Sequence, residues 1–401
     1  MALQGLDLDL QYFFTTLLPM NAFIGDGSPG VRDLKAAVNT SPALRDAIQA
    51  ISLQHRPQQL RTTIPGMAGN CEAYKLEALR AYARSVRDMQ KRIASNAFLG
   101  NSSALWTTFF LGLFELMRDP TGDNWLSHFL HGTCTILRLQ RPDSMLGLGA
   151  DSGQRRAFFL ATRIFEIARS LIYSSPTFLG EAEWVDALAQ LWRDEGAALW
   201  HPKEALFDIL PMTSDLSIRA IDFCDRALQF TPEAQYAMSL FLANEGLILQ
   251  QMLRQWWTET ADWERHVQTN RSQLKTPSRP DTELLIAQVY YHAISIYLSG
   301  TFDYHMHWAG SNGPDAPMLS RSQIDQHVSK ILLLSHALLI LGVSGILLFF
   351  PLRVAGARAT DDHARNEIMG LLQTTVVRGF VVAEAFQVDL SELWGGKSLY
   401  L

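Results

Sequence analysis

Cysteine is scarce in this chain, and its three copies, Cys71, Cys134 and Cys224, lie far apart. No CxxC or CxxxC pair exists, which argues against a structural zinc site. Scattered thiols fit a reducing compartment rather than a disulfide scaffold. A basic stripe is also missing: 34 basic residues face 40 acidic ones, for a formal net charge of −6. A domain that grips phosphate backbones by itself carries clustered positive charge, so direct nucleic-acid contact is not expected. The densest basic spot, Arg84, Arg87, Lys91 and Arg92, is spaced as one solvated helix face. The opening stretch MALQGLDLDLQYF brings acids where a signal peptide needs bases, and no long apolar run follows it.

Apolar residues are plentiful, at 48% of the 401 positions. That is enough for a substantial core and far from a disordered composition. One run, Ile331 to Phe350, is long and apolar enough to raise the question of a membrane span. Ser335, His336 and Ser344 interrupt it, and Gly342 and Gly345 weaken it as a helix. The expectation is a helix buried on all sides within the protein, not a membrane span.

The periodicity is helical along most of the chain. Residues 41–55 place Leu44, Ala47, Ile48 and Ile51 on one face, with Ser41 as N-cap ahead of Pro42. Leu76, Leu79, Tyr82, Val86 and Met89 recur at helical spacing between Tyr74 and Ile93. Further helices are expected over Ser103–Met117, Trp125–Leu139, Gln154–Tyr173, Pro232–Trp257, Glu283–Phe302 and Glu367–Phe386, with Gln323–Phe350 helical but broken. Residues 143–153 and 305–320 read as loops. No β-type alternation, βαβ rhythm or internal repeat is found. The fold class is therefore all-α, antiparallel helix pairs stacked around one or two cores. One domain over residues 1–401 is expected, and the polar stretch 264–281, with Pro277 and Pro280, marks where any subdivision falls.

Four segments carry a family likeness. Residues 41–55, SPALRDAIQAISLQH, and residues 108–138, with Glu115, Trp125, His128 and Gly132, are the first two. Residues 286–304, IAQVYYHAISIYLSGTFDY, and residues 347–359, LLFFPLRVAGARA, followed by GFVVAEAF, complete the set. In this order and spacing they resemble the fungal-specific transcription factor domain, the regulatory region of zinc-cluster transcription factors. The resemblance implies an α-helical regulatory module. Such a module meets protein partners, senses metabolites and works in the nucleus or the cytoplasm, here in the setting of secondary metabolism. The six clustered cysteines that would read DNA are not present. The expectation is a regulatory protein without its own DNA-binding zinc cluster, acting through protein contacts and a small apolar ligand.

Standard catalytic signatures give little. Gly25, Gly27 and Gly30 form a GxGxxG without a βαβ setting, no P-loop or GxSxG exists, and the GGKS around Lys397 lacks the first glycine. His305 and His307, near Asp303, fit stacking in an aromatic loop better than metal ligation. What stands out is charge on very apolar helices: Glu115, Arg118 and Asp119; then Arg163, Glu166 and Arg169; then Asp303 at the end of the helix bearing Tyr290, Tyr291 and Tyr297. A carboxylate there is costly unless paired. The main expectation is that arginine–glutamate pairs fix helix registry.

The alternative is a biosynthetic enzyme of the class I terpene cyclase type, acting on an isoprenoid diphosphate. Glu115, Asp119 and Asp303 would hold Mg²⁺, with Glu166 a further catalytic candidate. Arg163 and Arg169 would meet the diphosphate, and the tyrosines would face carbocations. The DDxxD motif of such enzymes is absent, and Asp361–Asp362 reads as a surface turn. Trp256, Trp257 and Trp263 read as anchors of a core or interface, and Cys134 and Cys224 as small buried hydrophobes.

Overall fold

The computed structural model describes residues 8–21, 29–63, 71–94, 101–123, 130–147, 152–199, 201–273, 280–310 and 313–396. Among them the chain is helical, without a strand. Fourteen helices of nine or more residues follow in chain order: α1 (Pro29–Thr40), α2 (Pro42–Thr63), α3 (Cys71–Ala94), α4 (Ser102–Leu116), α5 (His131–Leu139), α6 (Ser152–Tyr173), α7 (Ala182–Leu199), α8 (Pro202–Arg226), α9 (Pro232–Gln273), α10 (Thr282–Asp303), α11 (Arg321–Ile340), α12 (Phe349–Arg358), α13 (Asp362–Val377) and α14 (Ala383–Trp394).

Caps explain many of the starts. Asn101 accepts from the Ser103 amide at 2.9 Å to open α4, and Asp281 accepts from the Glu283 and Leu284 amides to open α10. Asp361, read as a surface turn, caps α13 through the Ala364 amide at 2.8 Å. His201 caps α8 with its ring Nδ1, and Pro202 fills the first helical position.

The helices divide into two compact units. Met1–Glu166, Leu339–Phe349 and Met369–Tyr400 form the first, and Ile167–Leu338 with Phe350–Ile368 the second. In the first unit α2 is central and packs against α3 and α4. The expected helix over residues 41–55 is realised, and its motif has a physical reason: Leu44, Ala47, Ile48, Ile51, Ser52 and His55 are all fully buried. An aromatic cluster fills the space beside it. Trp106 stacks on Phe110 at 5.5 Å and meets Phe158 edge-on at 5.1 Å. The basic spot on α3 is solvated as expected, with Arg84 paired to Asp46 and Arg92 to Asp88.

In the second unit α8 packs on both α9 and α10. Trp256 donates from its indole to the Pro202 carbonyl at 2.8 Å, and Trp308 does the same to Ser239 at 2.9 Å. Trp263 meets the His201 ring, and Trp257 stacks on Tyr291, so the tryptophans act as packing anchors. Cys134 is buried, Cys224 is only half-buried, and the side chain of Cys71 lies outside the described residues.

Several elements differ from their sequence reading. The apolar run 331–350 is not one buried helix. α11 stops at Ile340, where Gly342 and Gly345 take φ of +95° and +98°, and Leu333 and Ile340 face solvent. A Cβ at Gly345 would also lie 2.2 Å from the Thr375 hydroxyl, so only glycine fits this turn. The guanidinium of Arg378 donates to the carbonyls of Leu339 and Val343 and satisfies the break. No helix among the described residues is long and apolar enough to cross a membrane.

The expected last helix, 367–386, is two helices, α13 and α14, separated by a turn at Gly379. α9 runs through Gln273, well into the stretch read as a linker, because that stretch holds no breaker before Pro277 and its polar side chains pair along the helix. Both flanks of 264–281 belong to the second unit. α7 and α8 had no counterpart in the sequence reading. Gly25, Gly27, Trp125, His128 and Lys397 lie outside the described residues.

Candidate functional site

The charged residues singled out in the sequence sit in separate local settings. Glu115, near the end of α4, is half-buried and hydrogen-bonded to the Tyr82 hydroxyl. Burial and this carboxylate together push the Tyr82 phenol well above its ordinary range. Arg118 lies over the Phe114 ring at 5.4 Å. Asp119 closes the turn after α4 by accepting from the Thr121 amide at 2.9 Å and hydroxyl at 2.6 Å. Arg163, Glu166 and Arg169 are all buried on α6, and none is without a partner. Arg169 ties down the turn beyond the helix through Ser175 Oγ at 2.7 Å and the Pro176 carbonyl at 2.8 Å.

Asp303 forms a two-pronged ion pair with Arg358, one prong at 3.1 Å, and also accepts from Ser299. Arg358 in turn lies over the Tyr304 ring at 4.8 Å. His307 packs on Phe223 at 5.0 Å, and burial with the neighbouring His307 holds His305 below its ordinary range. Among the described residues no three histidine, cysteine or acidic side chains gather closely enough to hold a metal ion. The three tyrosines separate as well. Tyr290 is buried between Phe207 and Phe350, and Tyr291 stacks on Trp256 and Trp257. Tyr297 lines a cavity.

That cavity lies within the second unit and has a volume of about 320 Å³. α10 supplies Ile296, Tyr297 and Gly300, α12 supplies Phe350 and Arg353, α8 supplies Ser217 and Ile221, and the end of α6 supplies Leu171 and Ile172. The Tyr297 hydroxyl donates to Ser217 Oγ at 3.1 Å. Burial raises the Tyr297 phenol above its ordinary range, while the Ser217 bond and the charge of Arg353 act against that rise. Tyr297 therefore remains a neutral donor at physiological pH.

A second feature of this unit is the outer face of α9. Leu242, Ala243, Leu249, Leu253 and Trp256 bury one side of the helix. Tyr236, Leu240, Phe241, Leu247 and Ile248 emerge on the other, with Phe241 54% and Ile248 61% exposed. The residues interleaved with them include the uncharged Asn244, Gln251 and Gln255, the exposed Arg254, and Glu245, which pairs with Arg219 at 2.7 Å. A surface helix normally turns charge and polar groups to water; here large apolar side chains also emerge, turn after turn, between Tyr236 and Trp257. Leu228 and Phe230, just before the helix, are exposed too. Neither Arg353 nor this face was singled out in the sequence. The signal was present in each case: an arginine among apolar residues in LLFFPLRVAGARA, and aromatic and aliphatic residues on more than one side of one helix.

A profile for the fungal specific transcription factor domain matches residues 10–395, nearly the whole chain. The chain belongs to this family. An uncharacterized protein of Emericella nidulans is 26% identical over 113 residues, which is 28% of this chain and 23% of that protein. The chain thus spans about a quarter of that relative's length. No solved structure matches the chain. Of the segments that carry the likeness, the first buries Ser52 and His55 on α2, and in the last Phe349 stacks on Phe386 at 4.4 Å.

Proposed function

We propose that this chain is a transcription-factor-type regulator that works through protein contacts and is tuned by a small apolar ligand bound in its second unit. The observation that carries the reading is the outer face of α9. Exposed contiguous apolar surface rimmed by polar residues marks interaction sites in soluble proteins, and exposed aromatic and aliphatic side chains have the composition of an interface centre. Its occupant is an amphipathic helix of a partner protein. A run of exposed apolar side chains at helical spacing accepts i, i+4, i+7 anchors from a second helix.

The net charge of −6 gives no basic surface for phosphate backbones, which supports contact with DNA only through other protein modules. Nuclear action fits this role. The cyclase reading finds no comparable support: Glu115, Asp119 and Asp303 are each held by the neighbours described above, and Asp303 is locked to Arg358. The test is to tether the chain to an unrelated DNA-binding module upstream of a reporter gene. A change in reporter transcription relative to the DNA-binding module alone is expected, and an unchanged level counts against the proposal.

A further inference from the structure

Between α8 and α9 the second unit leaves an apolar groove of about 580 Å³. Met212 and Leu216 line it from α8, and Ile248, Leu249 and Met252 from α9. Pro176, Thr177, Gly180 and Glu181, between α6 and α7, line it as well. That stretch is held in place: Arg169 donates to the Pro176 carbonyl at 2.8 Å, and Thr177 Oγ1 accepts from the Leu179 amide at 3.3 Å. A preformed groove lowers the ordering cost of binding. The fold does not seal its lining. Met212 is 41% and Ile248 61% exposed, and two methionines let the walls adapt to an occupant.

Charge at the groove is one-sided. Among the residues that line it, Glu181, Asp215 and Glu245 face a single cation, Arg219. Arg219 is shared between Asp215 at 2.8 Å and Glu245 at 2.7 Å. Glu181 is exposed, and its carboxylate has no partner among the described residues. An uncharged occupant leaves this excess of negative charge unanswered, whereas an apolar segment that carries lysine or arginine matches it. The groove also runs into the outer face of α9, because Ile248 belongs to both. An amphipathic helix laid in such a groove brings anchors at i, i+4 and i+7 and keeps its charged flanks at the rim.

We infer that this groove receives a basic amphipathic helix of a partner protein, its aliphatic anchors against Met212, Ile248 and Met252 and its lysine or arginine side chains on Glu181 and Asp215. The inference rests on the reading of α9 as a docking face and gives the partner its charge and its seat.

The probe is a labelled synthetic peptide of about four helical turns, with leucines at i, i+4, i+7 and i+11 and lysines flanking them. It is titrated with the purified chain by fluorescence anisotropy. One counterpart carries glutamate for each lysine, and another has the same composition in scrambled order. The basic peptide is expected to bind one saturable site, with each counterpart roughly tenfold weaker. Met212→Gln should weaken it by a similar factor, and Glu181→Gln/Asp215→Asn should narrow its advantage over the glutamate peptide. Both variants change exposed side chains, and equal thermal midpoints check that the fold is kept. A basic peptide that does not saturate at millimolar concentration, or binds no better than either counterpart, overturns the inference. So does binding that is lost in Phe241→Glu but unchanged in Met212→Gln, which seats the peptide on the outer face of α9 and spares the docking reading. Octylamine binding as tightly as the peptide with the same dependence on Met212 would make the occupant a small cationic amphiphile, and dimerisation abolished by Met212→Gln would make it a second copy; either overturns the inference. A groove that binds the peptide as expected in a chain that leaves the tethered reporter unchanged contradicts the regulatory reading and supports the groove.

Discussion

Two buried histidines set the acid sensitivity of the protein. His55 Nε2 lies 2.9 Å from the Arg378 carbonyl, which can only accept, so Nε2 carries the proton and Nδ1 accepts from the Tyr12 hydroxyl at 2.7 Å. Burial pushes His55 down to about 4. His292 and His327 share a hydrogen bond of 2.9 Å between their Nδ1 atoms, which requires one of them to be a neutral acceptor. Burial and the neighbouring His327 push His292 down to about 3. Both histidines bind protons less readily folded than unfolded. Their contribution is therefore complete above the ordinary value of about 6.5 and is lost as pH falls towards 4 and 3. Between about pH 7 and pH 5 the loss should be on the order of 1–2 kcal/mol per histidine. Urea unfolding across that range checks it, and His55→Gln, which keeps one donor and one acceptor, should show a visibly shallower pH slope. At the same scale, Arg358→Met strips the half-buried Asp303 of its partner and should cost about 2–4 kcal/mol, read as a lower thermal midpoint.

At the scale of elements the turns decide most. Gly345→Ala places a Cβ at positive φ against Thr375 and should destabilise the protein by about 1–3 kcal/mol. Thr375→Ala on top of it, which removes the hydroxyl that the Cβ meets, should recover only part, because the backbone strain stays. Gly246, inside α9, is explained by approach rather than conformation: a Cβ there would lie 2.7 Å from the Phe302 ring and 2.9 Å from Pro317. Gly246→Ala should likewise lower the thermal midpoint although alanine is the better helix former.

These positions also show how far the sequence could be read. A helix with a clear apolar stripe and a cap, such as α2, was legible because 3.6-residue periodicity and an N-cap are local signals, and α10 was legible from its run of apolar and aromatic residues. Gly342 and Gly345 marked Gln323–Phe350 as broken, but neither the place of that break nor the split between α13 and α14 was legible. Each depends on a glycine at positive φ and, for the first, on Arg378 reaching back from far along the chain to satisfy freed carbonyls. The charged candidates were legible as residues needing partners, but which partner each takes is tertiary: Glu115 finds Tyr82 and Asp303 finds Arg358. Arg353 passed unnoticed because a lone arginine in an apolar segment gives no sign of a cavity beside it.

At the scale of the whole molecule, the family match over residues 10–395 and the two helical units describe a regulatory domain. Its distinguishing surface is one long helix with large apolar side chains on its solvent side. If that face is where partners dock, charge placed on it should abolish regulation without touching the fold, since Phe241 and Ile248 are more than half exposed. The most direct measurement is reporter transcription driven by the tethered chain, comparing the natural sequence with Phe241→Glu/Ile248→Glu at equal protein level and equal thermal midpoint. The account predicts that the natural chain alters transcription and that the double variant returns it to the level of the DNA-binding module alone. A double variant that regulates as well as the natural chain would contradict it.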